Sequence, residues 1–191
     1  MALNSASRAT LGAQPNTDFI AWDTVFVPDV PITFGTQQFL PGTTNGGLTF
    51  KLTHPADLIV RMQGSAVDQW NGDFDGKNDD QKIVLFTDTE PGPIVLVFDQ
   101  PVRGLGVNMQ ANVRTNESYA VRMKVFLAGG GSKPFVDKGT TLNLGTGLAP
   151  FLGALSSNVD IVRAEFHVAP SPGNGSLTDL DIAINRVELV R

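Results

Sequence analysis

Tyr119-Ala120-Val121-Arg122-Met123-Lys124-Val125-Phe126-Leu127 is the stretch that decides how this chain folds. Val121, Met123, Val125 and Leu127 fall on one side of an extended backbone, and Arg122 and Lys124 fall on the other. That period of two belongs to a strand with one buried face. Upstream, Ile94-Val95-Leu96-Val97-Phe98 is apolar at every position, which predicts a central strand covered on both faces. Pro91-Gly92-Pro93 and Asp99-Gln100-Pro101 bracket it with turn residues.

The same pattern continues in both directions. Leu48, Phe50 and Leu52 alternate with Thr49, Lys51 and Thr53, directly after Gly46-Gly47. Phe19-Ile20-Ala21-Trp22, Leu58–Met62 and Ile83-Val84-Leu85-Phe86 are further short apolar runs. Val162, Ala164, Phe166 and Val168 are expected to point one way, with Arg163, Glu165 and His167 pointing the other. Near the end, Ile182-Ala183-Ile184 and Val187-Glu188-Leu189 are out of phase by one residue around Asn185-Arg186, as a β-bulge would make them. No window shows a helical period with caps. Many brief strands with turns between them predict an all-β fold, a two-sheet antiparallel sandwich of jelly-roll type. Residues 1–16 are polar and small and are expected to form a flexible arm, with residues 17–191 as a single domain.

Composition narrows the function classes. A chain of 191 residues with 41% hydrophobic residues can bury a core without disulfides or metal. There is no cysteine, which removes thiolate catalysis and zinc–cysteine sites. The net charge is −5, and the lysines and arginines form no run. Nucleic acid is therefore not an expected partner, because such a ligand calls for a basic stripe. No apolar run approaches the length that spans a membrane, and residues 1–16 lack the apolar segment of a signal peptide.

The order of motifs adds to this reading. It runs Asp18-Phe19-Ile20-Ala21-Trp22, Gly46-Gly47-Leu48-Thr49-Phe50, Met62-Gln63-Gly64 and Trp70-Asn71-Gly72-Asp73-Phe74. Gly92-Pro93-Ile94-Val95-Leu96-Val97-Phe98, Pro101-Val102-Arg103-Gly104-Leu105-Gly106, Pro150-Phe151-Leu152-Gly153 and Ile182-Ala183-Ile184-Asn185 follow. In that order the chain resembles bacterial extracellular proteins of the PEP-CTERM type, whose body resembles a galactose-binding-like jelly roll. The resemblance spans most of residues 18–189 and implies an extracellular or cell-surface location. The chain departs from that family at its end, where Arg191 follows without a Pro-Glu-Pro motif, an apolar tail or a basic terminus. Such jelly rolls hold a structural Ca²⁺ between early and late strands. The matching residue types here are Asp18 or Asp23 and Asp181 or Glu188, for which ordinary surface carboxylates are the favoured reading.

The sharpest local feature is Asn71-Gly72-Asp73-Phe74-Asp75-Gly76-Lys77-Asn78-Asp79-Asp80. Oxygen donors at alternate positions with a glycine at the turn suit a hard Ca²⁺ ion. Asn71, Asp73, Asp75, Asp79 and Asp80 are the candidate ligands. The place of the closing bidentate Glu is taken by Lys82, so a solvated acidic turn is the competing reading. Trp70 adjoins this stretch, with Asp68 and Asn71 beside it. A flat ring flanked by polar groups suits a sugar, and the expected partner is a glycan or another surface polymer, although a tryptophan in a sandwich is more often core or rim. Trp22 is the weaker candidate. His54 and His167 have no partner by spacing, and no Gly-x-Ser-x-Gly elbow occurs. A non-catalytic binding module therefore ranks first. A structural or assembly protein acting through sheet faces or edges ranks second, and a hydrolase third.

Overall fold

A computed structural model describes residues 2–34, 38–62, 74, 83–87, 92–111, 117–140, 149–170 and 180–191. Its first half comprises β1 (Leu3–Ser5), α1 (Arg8–Gly12), β2 (Thr17–Ile20), α2 (Trp22–Val25), β3 (Pro31–Ile32), β4 (Leu40–Thr43), β5 (Thr49–Thr53), β6 (Leu58–Met62) and β7 (Ile83–Thr87). The second half comprises β8 (Ile94–Val102), β9 (Gly104–Ala111), β10 (Ser118–Leu127), β11 (Ser132–Thr140), β12 (Phe151–Ser156), β13 (Ile161–Pro170), β14 (Ile182–Ile184) and β15 (Val187–Val190). Among the described residues these strands make two antiparallel sheets, and the all-β sandwich expected from the alternation is the fold. One sheet has six strands in the order β11-β10-β13-β8-β5-β4. The other has nine, with β1-β12-β9-β14-β7-β6-β3 as its main path and β15 and β2 joined to it beside β9.

The inward side chains of the two sheets form one core. Tyr119, Val121, Met123 and Val125 of β10 meet Ala164, Phe166 and Val168 of β13 and Leu96 and Phe98 of β8 from one side. Leu105, Val107 and Met109 of β9, Ile182 and Ile184 of β14 and Leu85 of β7 meet them from the other. Trp22, the only large side chain of α2 turned fully inside, is 1% exposed, and its indole Nε1–H donates to the Asn185 carbonyl at 2.8 Å. It belongs to the core and cannot face a ligand. An indole that finds an acceptor inside is an ordinary use of this residue.

Three expectations are refined. β8 is central, between β13 and β5, but of its apolar run Ile94–Phe98 only Ile94, Leu96 and Phe98 join the core between the sheets. Val95 and Val97 alternate to the outer side, where Val97 is only half-buried. Second, Val162 does not continue the inward row of β13. The pairing of β13 with β8 shifts between Ile161 and Arg163, so Ile161 is buried and Val162 is half-buried at the irregularity. Third, residues 1–16 are not a free arm. β1 pairs with β12, matching Leu3 to Ser156 and Ser5 to Ala154. α1 starts at Ser7, whose side chain accepts the Thr10 N–H, and it buries Leu11. A Ser cap on a five-residue helix is too short a signal for a period of 3.6 to register.

The slip at Asn185-Arg186 is found as expected. Ile184 faces Met109 while Glu188 faces Gly106. Four steps along one strand therefore oppose three on its partner. The displaced Asn185 is fully buried, and its side-chain carbonyl accepts the Asn108 N–H at 3.0 Å. A polar side chain thus replaces the ladder bond that the bulge interrupts.

Candidate functional site

Asp68, Trp70, Asn71, Asp73, Asp75, Asp79 and Asp80, the residues expected to bind sugar and calcium, lie outside the described residues. Phe74, within the same stretch, is described. It is fully buried and packs with Ile59, Val84, Phe86, Ala149 and Ala183. Ile59, Val84, Phe86 and Ala183 are outward positions of β6, β7 and β14, so Phe74 covers the outer side of the nine-stranded sheet.

The carboxylates considered for a second ion are committed elsewhere. Asp18 accepts hydrogen bonds from the Thr44 hydroxyl, the Gly46 N–H at 2.7 Å and the Phe19 N–H at 2.8 Å. Glu188 receives Arg186 at 2.8 Å and lies 3.9 Å from Arg8. β2 and β15 do pair, but Asp18 stands opposite Leu189 and Glu188 opposite Phe19. Successive residues of a strand project to opposite faces, so the two carboxylates sit on opposite sides of the sheet. Asp181 accepts the Thr87 hydroxyl at 3.3 Å, and Asp23 is exposed. Among the described residues, no three His, Asp or Glu side chains converge as a metal would need.

The outer face of the six-stranded sheet is an organised polar surface. Inward positions of its strands are occupied by the core, so the alternate positions must face out. β11 contributes Pro134, Val136 and Lys138, and β10 contributes Arg122, Lys124 and Phe126. Arg163, Glu165 and His167 come from β13, and Val95 and Val97 from β8, with Thr49, Lys51 and Thr53 from β5. The register sets them in rows across the strands. Phe126 faces Arg163, which faces Val97, which faces Lys51. The next row runs Pro134, Lys124, Glu165, Val95 and Thr53. A third runs Val136, Arg122 and His167.

Local interactions hold this surface in shape. Lys124 Nζ lies 4.7 Å and the Arg163 guanidinium 4.8 Å from the centre of the Phe126 ring, close enough for cation–π attraction to position both charges. Arg163 also donates to Glu165, and His167 Nε2 lies 3.7 Å from the same carboxylate. At the far side, Lys51 lies 3.5 Å from Asp99 and 5.0 Å from the centre of the Phe39 ring. Phe39 is 43% exposed. Lys and Arg residues scattered through the sequence are thus gathered onto one face by strand pairing, and the signal for them was the polar half of the alternation in β10 and β13.

His54 is buried, and its Nδ1 lies 2.9 Å from the Ala56 carbonyl and 3.1 Å from the Ala56 N–H. Two depressions, of about 250 and 290 Å³, are lined by Leu11, Asp18, Phe19, Arg186 and Glu188 and by Leu48, Gln100, Val159 and Arg191 respectively, with no histidine in either. No family model matches this chain, and neither the characterised proteins nor the solved structures with which it was compared provide a match.

Proposed function

We propose that this chain is a non-catalytic extracellular binding module, with a body of galactose-binding-like jelly-roll type. It holds a carbohydrate or other surface polymer on the outer face of the six-stranded sheet, and Ca²⁺ stiffens the acidic stretch at residues 71–80. The observation that carries the reading is the surface chemistry of that face among the described residues. Apart from Val95, Val97, Pro134 and Val136, its outward side chains are charged, hydroxylic or aromatic, and the exposed side of Phe39 offers ring surface for the apolar side of a sugar. Extracellular location is supported by the order of motifs along residues 18–189.

Two features weigh against the assembly reading through sheet edges. The outermost strand β11 carries Lys133, Pro134 and Lys138, and β4, at the opposite edge of that sheet, carries Pro41. β3 begins with Pro31, and β1 has only three residues. Prolines, lysines and short length all discourage another strand from adding to an edge.

A glycan array probed with the intact chain tests the binding reading, and uniform silence overturns it. The calcium element is tested by melting curves with Ca²⁺ and with chelator. A ligand that binds only the folded state raises the transition by mass action, so superimposable curves remove that element alone.

A further inference from the structure

We propose that the polymer held on this face is an acidic polysaccharide, one bearing carboxylate or sulfate groups along an extended chain. The inference rests on the binding-module reading and deepens it to a ligand class.

Charge carries the argument. The outer face bears five cations, Lys51, Arg122, Lys124, Lys138 and Arg163, against two carboxylates, Asp99 and Glu165. Its formal charge is therefore +3 on a chain of net −5, which leaves −8 for the rest of the molecule. Both carboxylates are already engaged: Asp99 by Lys51 at 3.5 Å and the Thr49 hydroxyl at 2.8 Å, Glu165 by Arg163. Arg122, Lys124 and Lys138 have no ion-pair partner among the described residues. Arg122 and Lys138 are exposed, and Lys124 is half-buried against Phe126. Arg122 and Lys124 are two residues apart along β10, about 7 Å, and Lys138, which pairs with Ala120, is a diagonal neighbour of Arg122 at about 7–8 Å. An extended chain with a regularly repeated anion can meet these charges at several points, and the net negative charge of the rest of the chain disfavours its binding elsewhere.

The arrangement suits a glycan better than a nucleic acid. Single-stranded nucleic acid binds by stacking successive bases on open rings. Phe126, the ring at the centre of the cationic patch, is already occupied by Lys124 and Arg163, which among the described residues leaves Phe39 as a single ring where successive bases need several. Glu165, Thr53 and His167 stand among the cations as partners for sugar hydroxyls.

Affinity electrophoresis of the intact chain through gels containing alginate, a sulfated glycosaminoglycan, dextran or single-stranded DNA tests the proposal. Retardation is expected with alginate or the sulfated glycan, weakening as salt rises, and not with dextran. The double variant Arg122→Gln/Lys124→Gln is expected to lose roughly tenfold or more in affinity, and Lys138→Glu alone a smaller factor. Both keep the parent melting temperature, which separates lost contacts from lost fold. Binding to neutral glycans that the variants leave unchanged overturns the acidic-ligand inference while the binding-module reading stands. Silence with every glycan overturns both. Tighter retention by DNA than by alginate overturns the inference in favour of nucleic acid.

Discussion

On the outside of the nine-stranded sheet, α1 and Phe74 lie over the strands; on the outside of the six-stranded sheet, charged side chains meet solvent. The outward positions explain the contrast. β9 presents Gly104, Gly106 and Asn108 outward. A Cβ on Gly106 would stand 2.7 Å from a Leu11 methyl and 2.4 Å from the Phe151 ring, so only glycine lets the roof come down. Leu11, Ala6, Val190, Phe151 and Leu155 then form a small apolar cluster above the sheet. Asn108 is met by Arg8 from α1, and its amide donates to the Ala149 carbonyl at 2.6 Å. β10, by contrast, presents Arg122, Lys124 and Phe126 outward, and covering these would strand their charges away from water. Small and amide residues at alternate positions mark a face built to be roofed, and long cations mark one left open.

The comparison breaks if the roof proves dispensable. Phe74→Ala has the largest expected effect. It empties a fully buried ring site among Ile59, Val84, Phe86 and Ala183 and is expected to cost about 3–5 kcal/mol in urea denaturation. A neutral result would mean that Phe74 does not cover this face in solution. Leu11→Ala follows at about 2–4 kcal/mol, read from the same denaturation midpoints, because Leu11 is 1% exposed and is the apolar anchor of α1. Gly153→Val comes next. Its Cβ would fall 2.2 Å from the Ala6 carbonyl oxygen. Overpacking of this kind costs about 1–3 kcal/mol, and the clash also opposes the 2.9 Å bond from the Ala6 N–H to the Gly153 carbonyl. Amide exchange should therefore accelerate at Ala6 while the amides of β10 stay protected.

How these features were written in the sequence differs from one region to another. The strands β5, β10 and β13 and the bulge at Asn185 were legible because one buried face imposes a strict alternation that a bulge visibly breaks. The roof was not. α1 is one short turn whose Ser7 cap and single buried Leu11 leave no period to count, and the glycines that receive it look locally like turn residues. Outward cations such as Arg122 and Arg163 were legible as a polar side of a strand, but not as one surface. They lie 41 residues apart in the chain and come to one face only through the register of β10 on β13, which sets Arg122 opposite His167 and Arg163 opposite Phe126. The expected ligand residues around Trp70 came from local spacing alone, which names donors without saying what converges on them.

The open face yields the smallest effects on stability, and their smallness is itself the test. Arg122→Gln and Lys138→Gln are expected to change the unfolding free energy by no more than about 0.5 kcal/mol in either direction, because both side chains are exposed and engage no carboxylate. Arg163→Gln should cost slightly more, up to about 1 kcal/mol. It removes a cation from Phe126 and leaves Glu165, whose side chain is 15% exposed, with one fewer donor. Arg163 is itself 43% exposed, so solvent replaces much of what is lost. If Arg122→Gln instead cost as much as Leu11→Ala, Arg122 would have to be covered by another part of the chain. The six-stranded sheet would then be roofed as well, and its cations would serve the fold rather than a ligand.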